Sequence, residues 1–261
     1  MKYTHFLFVF ISLLLLTSCS SKNDIQGGNQ PIFKARLLKQ VTNSDGFWQK
    51  FFYNDKKQIE LLTQTSNQID LDSTYFFYNG DMLTRTLQRT YVPNTGVINT
   101  DINYDNFSDT QATGSYKIYK DDGTVFQNQT FEYTFLNNLI KSIIFYNLDG
   151  TKSSEKIYNH DVTGNLTKWT EIWYGSNNAI SSSREHTFSK WDDSGLKTQS
   201  LLYWNYRIYN IPNMFISNSN LIDRTENGQT YNYTFEYDPY GNVIKYTSVD
   251  EQKYITLEYY Q

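Results

Sequence analysis

The sequence predicts an all-β protein, an antiparallel up-and-down meander of roughly fifteen strands. Three observations support this prediction: composition, alternation and regular turns. Among 261 residues there are 23 Tyr and 17 Phe but only three Ala, a bias that favours strands over helices. Side chains alternate with a period of two, and turns recur about every 12–15 residues. This number of strands is larger than an open twisted sheet usually holds. We therefore expect a closed or strongly curved barrel-like sheet.

Residues 1–18 have the features of a secretory signal peptide. Lys2 supplies a positive charge, and the apolar run Phe6–Leu16 is shorter than the about 20 residues that span a bilayer as a helix. The sequence LTSC that ends at Cys19 resembles the lipobox of bacterial lipoproteins. That resemblance implies cleavage before Cys19 and lipidation of this residue, the only cysteine in the chain. An ordinary cleaved signal with a chance Cys is the alternative.

Residues 19–31 would then be the lipidated Cys and a flexible tether, since they are polar and contain Gly27-Gly28. In lipoprotein sorting, an Asp after the Cys favours the inner membrane. Ser20 in that place therefore indicates the outer membrane, and the sequence leaves open whether the protein faces the periplasm or the cell surface. Residues 32–261 are expected to form a single β-meander domain.

The strands carry one aromatic face and one polar face. Tyr231, Tyr233, Phe235 and Tyr237 alternate with Thr, Asn and Glu, which is typical of a half-buried antiparallel sheet. Polar residues interrupt the second face of most strands, and the mean hydropathy is −0.61. This pattern argues against an apolar band that faces lipid, so we expect the aromatic faces to point inward.

The turns are of two kinds in the sequence. One kind reads D-x-x-G, at Asp161, Asp192 and Asp238, and the other reads D-G-T, at Asp122 and Asp149. Asp accepts hydrogen bonds from turn amides, and Gly adopts a positive φ without strain. The two kinds alternate along the chain, which predicts one kind at each edge of the sheet.

A polar segment, residues 104–115, breaks this rhythm and is predicted to be a loop. Just before and within it, Asp101, Asn103 and Asp105 have the spacing of the first half of a calcium loop. Ala112 stands where such a loop needs its bidentate Glu, so we favour a solvated loop. We expect no metal and no cofactor.

The turn sequence Tyr237-Asp238-x-x-Gly241-Asn242 resembles the YD (RHS-type) repeats of bacterial surface and secreted proteins. Together with the lipobox and the D-G-T turns, residues 33–261 resemble uncharacterised Bacteroidota lipoproteins whose domain has a porin-like all-β fold. The resemblance implies this architecture and supplies no catalytic residues.

Residue types for catalysis are sparse. Beyond the signal peptide there are two histidines, His160 and His186, and neither accompanies a G-x-S-x-G motif or a surviving thiol. We therefore expect that the protein is not an enzyme. Its many carboxylates leave one alternative open, a catalytic pair of the kind that glycosidases use. The net charge of −4 provides no basic field for nucleic acid.

The aromatic residues suggest a contact surface. Trp169 and Trp173 share one strand face with Glu171, and Trp204 and Tyr206 lie in an aromatic insertion, residues 203–221. Flat rings beside polar groups suit sugar stacking or a protein hot spot. The alternative is that these rings fill the sheet core or cover a barrel mouth.

Three functional hypotheses follow. The first is a membrane-anchored, non-enzymatic envelope lipoprotein that binds a ligand, with a glycan as the leading example. The second is a structural or accessory subunit of an outer-membrane protein complex, and the third is a hydrolase. Converging carboxylates would favour the third, and an exposed ring beside polar groups would favour the first.

Overall fold

The protein folds as a closed antiparallel barrel of 16 strands, which confirms the predicted all-β meander. The structure is a computed structural model that describes residues 36–65, 71–137, 139–192, 217 and 219–261. Cys19, the tether and the insertion residues Trp204 and Tyr206 lie outside these ranges. Among the described residues, no helix is long and apolar enough to cross a membrane.

The described chain forms 18 strands and one short 3-10 turn, Ser176–Asn178. The strands are β1 Leu38–Asn43, β2 Trp48–Tyr53, β3 Ile59–Thr65, β4 Leu71–Asn79, β5 Met82–Val92, β6 Gly96–Phe107, β7 Gln111–Lys120, β8 Val125–Leu136, β9 Leu139–Tyr146, β10 Lys152–His160, β11 Leu166–Tyr174, β12 Ile180–Thr187, β13 Trp191–Asp192, β14 Asn220–Leu221, β15 Asp223–Glu226, β16 Gln229–Tyr237, β17 Val243–Ser248 and β18 Lys253–Tyr259.

Each barrel strand pairs with its neighbours in sequence, and the ring closes between β1 and β18. The exception is β12, which pairs with β15 through only two residue pairs. Between them, β13 and β14 form a separate two-stranded sheet. We call the end that carries the turn Asp238–Asn242 the Asp238 end, and the opposite end, with the turn Asn147–Thr151, the Gly150 end.

Aromatic side chains fill the barrel interior because alternate residues of every strand point inward. Phe131, Tyr133 and Phe135 of β8 are all buried, and the Tyr133 ring lies 5.1 Å from Phe131 and 6.3 Å from Phe135. From β12 onward the chain also reaches this core, since Phe188 and Leu221 belong to it. Phe188 and Leu221 therefore join the chain on either side of residues 193–216 to the core.

Tyrosine hydroxyls satisfy backbone carbonyls at the Asp238 end. Tyr53 donates to the Leu38 carbonyl at 2.9 Å, and Tyr78 donates to the Ile59 carbonyl at 3.0 Å. Tyr259 repeats the contact at 2.7 Å. Each ring reaches the preceding strand, and burial raises the pKa of Tyr78 to about 12. These tyrosines therefore tie neighbouring strands together at this end and also pack against the core.

The two sequence kinds of turn lie at opposite ends of the barrel and share one backbone geometry. In the turns that begin at Asp238 and Asn147, the first amide bonds the fifth carbonyl, and the fourth amide bonds the first carbonyl. The fourth residue has a positive φ in both, 81° at Gly241 and 82° at Gly150. This is a three-residue hairpin loop with a left-handed residue at its end.

The predicted loop over residues 104–115 is wrong, because β6 and β7 run through most of it. The D-x-N-x-D spacing reflects strand alternation, with polar residues outward and Ile102 and Tyr104 buried. Asp101 accepts two hydrogen bonds from Arg85, at 2.8 and 2.9 Å. Asp101 therefore serves a salt bridge between strands.

Candidate functional site

The inner face of β10, β11, β12 and β15 gathers the side chains with functional potential. Register places Lys156 opposite Glu171, and Glu171 opposite Arg184 of β12. One step further along the strands, His186 lies opposite Glu226. Because these residues alternate in step with the buried Trp169, they all line the barrel interior. We call this surface the charged wall.

The structure places the two tryptophans of β11 very differently, although both point inward. Trp169 is only 5% exposed, and its ring lies 5.8 Å from Tyr158 and 4.7 Å from His186. Lys156 sits over the same ring at 4.9 Å. Trp169 therefore packs the interior and offers no contact surface. For this ring, the structure agrees with the alternative in which the ring fills the sheet core.

Trp173, in contrast, is 38% exposed and lies towards the Gly150 end. Its register partners are small and polar, Ser154 on β10 and Ser182 on β12. The other half of the predicted surface, Trp204 and Tyr206, lies outside the described residues. Within the described chain, the structure thus brings Trp169 and Trp173 onto one wall and leaves Trp173 as its accessible ring.

The barrel wall is uneven in height, which explains why Trp173 is accessible. Strands β5 to β8 have 10–12 residues, whereas β15 has four and β17 has six. β12 pairs with β15 only at its last two residues, and all of residues 180–185 are exposed. The inner face of the taller side is consequently open towards the Gly150 end.

Salt bridges hold the charged wall together. Lys156 Nζ lies 2.6 Å from Glu171 Oε1, and both side chains are largely buried. Glu226 is shared by Arg184 at 3.5 Å and Arg224 at 3.8 Å, and His186 Nδ1 lies 3.5 Å from the same carboxylate.

Sequence reasoning missed this cluster because register, not spacing, brings β10, β12 and β15 together. The alternation of Ser182, Arg184 and His186 was its only signal.

Burial controls the protonation of the rings on the wall. Desolvation lowers the pKa of His186 from its ordinary value of 6.5, against the opposing influence of the Glu226 carboxylate. Burial also raises the pKa of the Tyr158 hydroxyl well above its ordinary value. Both rings are therefore neutral near pH 7, and the formal charges of the wall reside on its arginine, lysine and glutamate side chains.

This arrangement is suited to binding. Glu171 and Glu226 each face cations, and among the described residues no group of three or more His, Cys, Asp or Glu is placed to hold a metal. An exposed indole, two serines and an exposed guanidinium instead provide a stacking platform with hydrogen-bond donors.

The sequence matches no protein-family model, and no curated protein is significantly similar to it. Among solved structures, a porin-like protein from Bacteroides uniformis is similar, with 11% identity and a TM-score of 0.45 over 85% of this chain and 98% of that one. A porin-like protein from Bacteroides vulgatus is also similar, with 11% identity and a TM-score of 0.45 over 87% of this chain and 99% of that one. A likeness of this strength says nothing about ligand or activity.

Proposed function

We propose that the protein is a lipid-anchored, non-enzymatic lipoprotein of the outer membrane whose barrel binds a glycan on the charged wall. The observation that carries the proposal is the accessibility of Trp173 on an otherwise polar stretch of the inner face. A sugar ring can stack on the indole because its C–H groups meet the aromatic face. Ser154 and Ser182 flank the ring with hydroxyls that bond sugar hydroxyls.

The charged outward face argues against a membrane-spanning barrel, and the lipobox-like sequence at Cys19 would supply an anchor in its place. Arg85 and Asp101 form a salt bridge on the outside of β5 and β6, and Lys245 pairs with Glu236 at 2.9 Å on β16 and β17. Arg or Lys on a lipid-facing strand costs about 2–4 kcal/mol at mid-membrane and about 0–1 kcal/mol near the interfaces. A water-facing barrel attached through Cys19 avoids that cost.

The test of glycan binding is an array screen with residues 20–261, which contain every barrel strand. Trp173→Ala should abolish a saccharide signal, because the stacking platform is lost. Tyr91→Ala is the matched control, since Tyr91 is an exposed ring on the outward face of β5. Loss of the signal in both variants, or in neither, would refute the assignment to the charged wall.

The test of anchoring is metabolic labelling with a fatty acid in the native host. Wild-type protein should take up the label and fractionate with outer membranes. Cys19→Ser should lose both the label and the membrane association. A labelled Cys19→Ser protein would show that the anchor lies elsewhere.

A second candidate, an accessory subunit of an envelope complex, has one observation in its favour. Phe52, Leu61 and Tyr75 form a row across the outside of β2, β3 and β4, and Phe52 and Tyr75 are both 40% exposed. Exposed rings in a row are typical of protein contacts. Cross-linking in intact cells, with Tyr75→Lys as the variant, should capture a partner that the variant loses.

A further inference from the structure

We infer that the charged wall selects an acidic saccharide, with its ring on Trp173 and its carboxylate on Arg184. This inference rests on the proposed glycan function and adds the chemical class of the ligand.

The first argument is the local charge. The cations Lys156, Arg184 and Arg224 face two carboxylates, Glu171 and Glu226, so the wall carries one net positive charge while His186 is neutral. The whole chain, by contrast, has a net charge of −4. A positive site inside an acidic protein discriminates in favour of anions, because low-dielectric walls strengthen the local field.

The second argument identifies which cation is available. Glu171 already engages Lys156, and Arg224 is only 17% exposed and stacks on Tyr231 at 4.6 Å. Arg184 is 52% exposed. Among the described residues its ion pair is with Glu226, through Nε at 3.5 Å, which is longer than a strong charge-assisted hydrogen bond. Its guanidinium can therefore donate to a ligand carboxylate.

The third argument is placement. Glu171 is the register partner of Arg184, and Trp173 lies two residues further along β11 on the same face. Arg184 and Trp173 are thus diagonal neighbours, whose separation is about 7–8 Å between strands. A pyranose that carries a carboxylate at its edge is about this size, so one sugar unit can reach both residues.

The experiment measures affinity for paired probes: oligogalacturonate, oligoglucuronate and a sialylated oligosaccharide, each beside the same compound with its carboxyl groups reduced to alcohols. Residues 20–261 should bind at least one acidic probe about tenfold more tightly than its reduced form. Arg184→Gln should remove that preference while retaining the weak binding of the reduced form. Arg184→Lys should restore part of it.

Two controls separate the possible failures. Arg89→Gln removes an exposed arginine on the outside of the barrel, paired with Asp121, and should leave the preference intact. Equal binding of both forms, abolished by Trp173→Ala, would overturn the acidic class while leaving the glycan function standing. No binding of any probe would overturn both proposals.

Discussion

At the scale of single residues, the position of each tryptophan along β11 decides whether its ring is buried or accessible. Trp169 and Trp173 share one strand and one face, yet Trp169 is enclosed by Tyr158, His186 and Lys156, while Trp173 rises above the shorter strands. The buried ring contributes packing energy, and the accessible ring is free to contact a ligand. Substitution of Trp169 should therefore mainly lower stability, whereas substitution of Trp173 should mainly lower ligand binding.

Trp169→Ala should lower the free energy of unfolding by about 3–5 kcal/mol, because it leaves a cavity beneath the charged wall. Trp173→Ala should lower it by only about 1 kcal/mol, since part of that ring is already in water. Chemical denaturation of the two variants measures both values. A similar loss of stability in the two would contradict this division.

His186 makes stability depend on pH. Because burial lowers its pKa, the folded protein binds fewer protons than the unfolded chain below about pH 6.5. This contribution to stability is fully present above about pH 6.5 and is lost as the pH falls through the folded pKa. The melting temperature should therefore fall by a few degrees between about pH 7.5 and 5.5.

His186→Gln should remove most of that pH dependence. Turn carboxylates do not interfere, because hydrogen bonds from Thr163 lower the pKa of Asp161 below its ordinary 3.8, outside the window. The neighbours that act on His186 are Glu226, Arg224, Glu171 and Arg184, which remain in the variant. An unchanged pH profile in His186→Gln would assign the effect to another group.

At the scale of elements, each turn of the shared three-residue geometry depends on one left-handed residue. Lys57 occupies this position in the turn after β2 with φ 63°, whereas Gly123 occupies it in the turn after β7 with φ 89°. An L-residue in this conformation costs about 1–2 kcal/mol, and glycine does not incur this cost. The same loop is therefore under strain at one place and relaxed at the other.

Lys57→Gly should stabilise the protein by up to about 1 kcal/mol, and Gly123→Ala should destabilise it by about 1 kcal/mol. Nothing lies within 4 Å of a Cβ at Gly123, so the effect isolates the backbone. Gly175→Ala is the control, because its φ is −92° and its Cβ would make only ordinary contacts. Thermal unfolding of the three variants should show these opposite signs.

The sequence predicted strands and turns well because both signals are local. Alternation in Tyr231–Tyr237 identifies an inward face, and Asp with Gly at fixed spacing identifies a hairpin loop. The loop predicted over residues 104–115 failed because outward polar residues on a strand have the composition of a loop. The charged wall was not predictable, since β12 and β15 meet across an insertion and their pairing depends on closure of the whole ring.

At the scale of the whole molecule, the barrel closes between the first and last strands. Tyr260 donates its amide to the Leu37 carbonyl at 2.9 Å, so the two ends of the described chain meet. A circular permutant that joins Gln261 to Arg36 through a short Gly-Ser linker, with new termini in the exposed Asp149-Gly150 turn, should fold. Its melting temperature should lie within a few degrees of the parent.

Deletion of residues 253–261 provides the opposing case. It removes β18 and leaves β1 and β17 with unpaired edges, so the truncated chain should lose cooperative unfolding. Circular dichroism and thermal melts of the permutant and the truncated chain distinguish the outcomes. We call the pairing of β1 with β18 the seam of the barrel. A cooperative transition in the truncated chain would mean that the barrel folds without this seam.

The same seam bears on how the protein matures. Thr256 donates to the Thr42 carbonyl across a sequence separation of 214 residues, so the closing contacts are among the most distant the chain can make. Such contacts fold slowly, and they form only after the C-terminal residues have been delivered. Until those residues arrive, β1 keeps an unpaired edge that is prone to aggregate. We therefore expect the nascent chain to depend on holding chaperones until its final residues emerge.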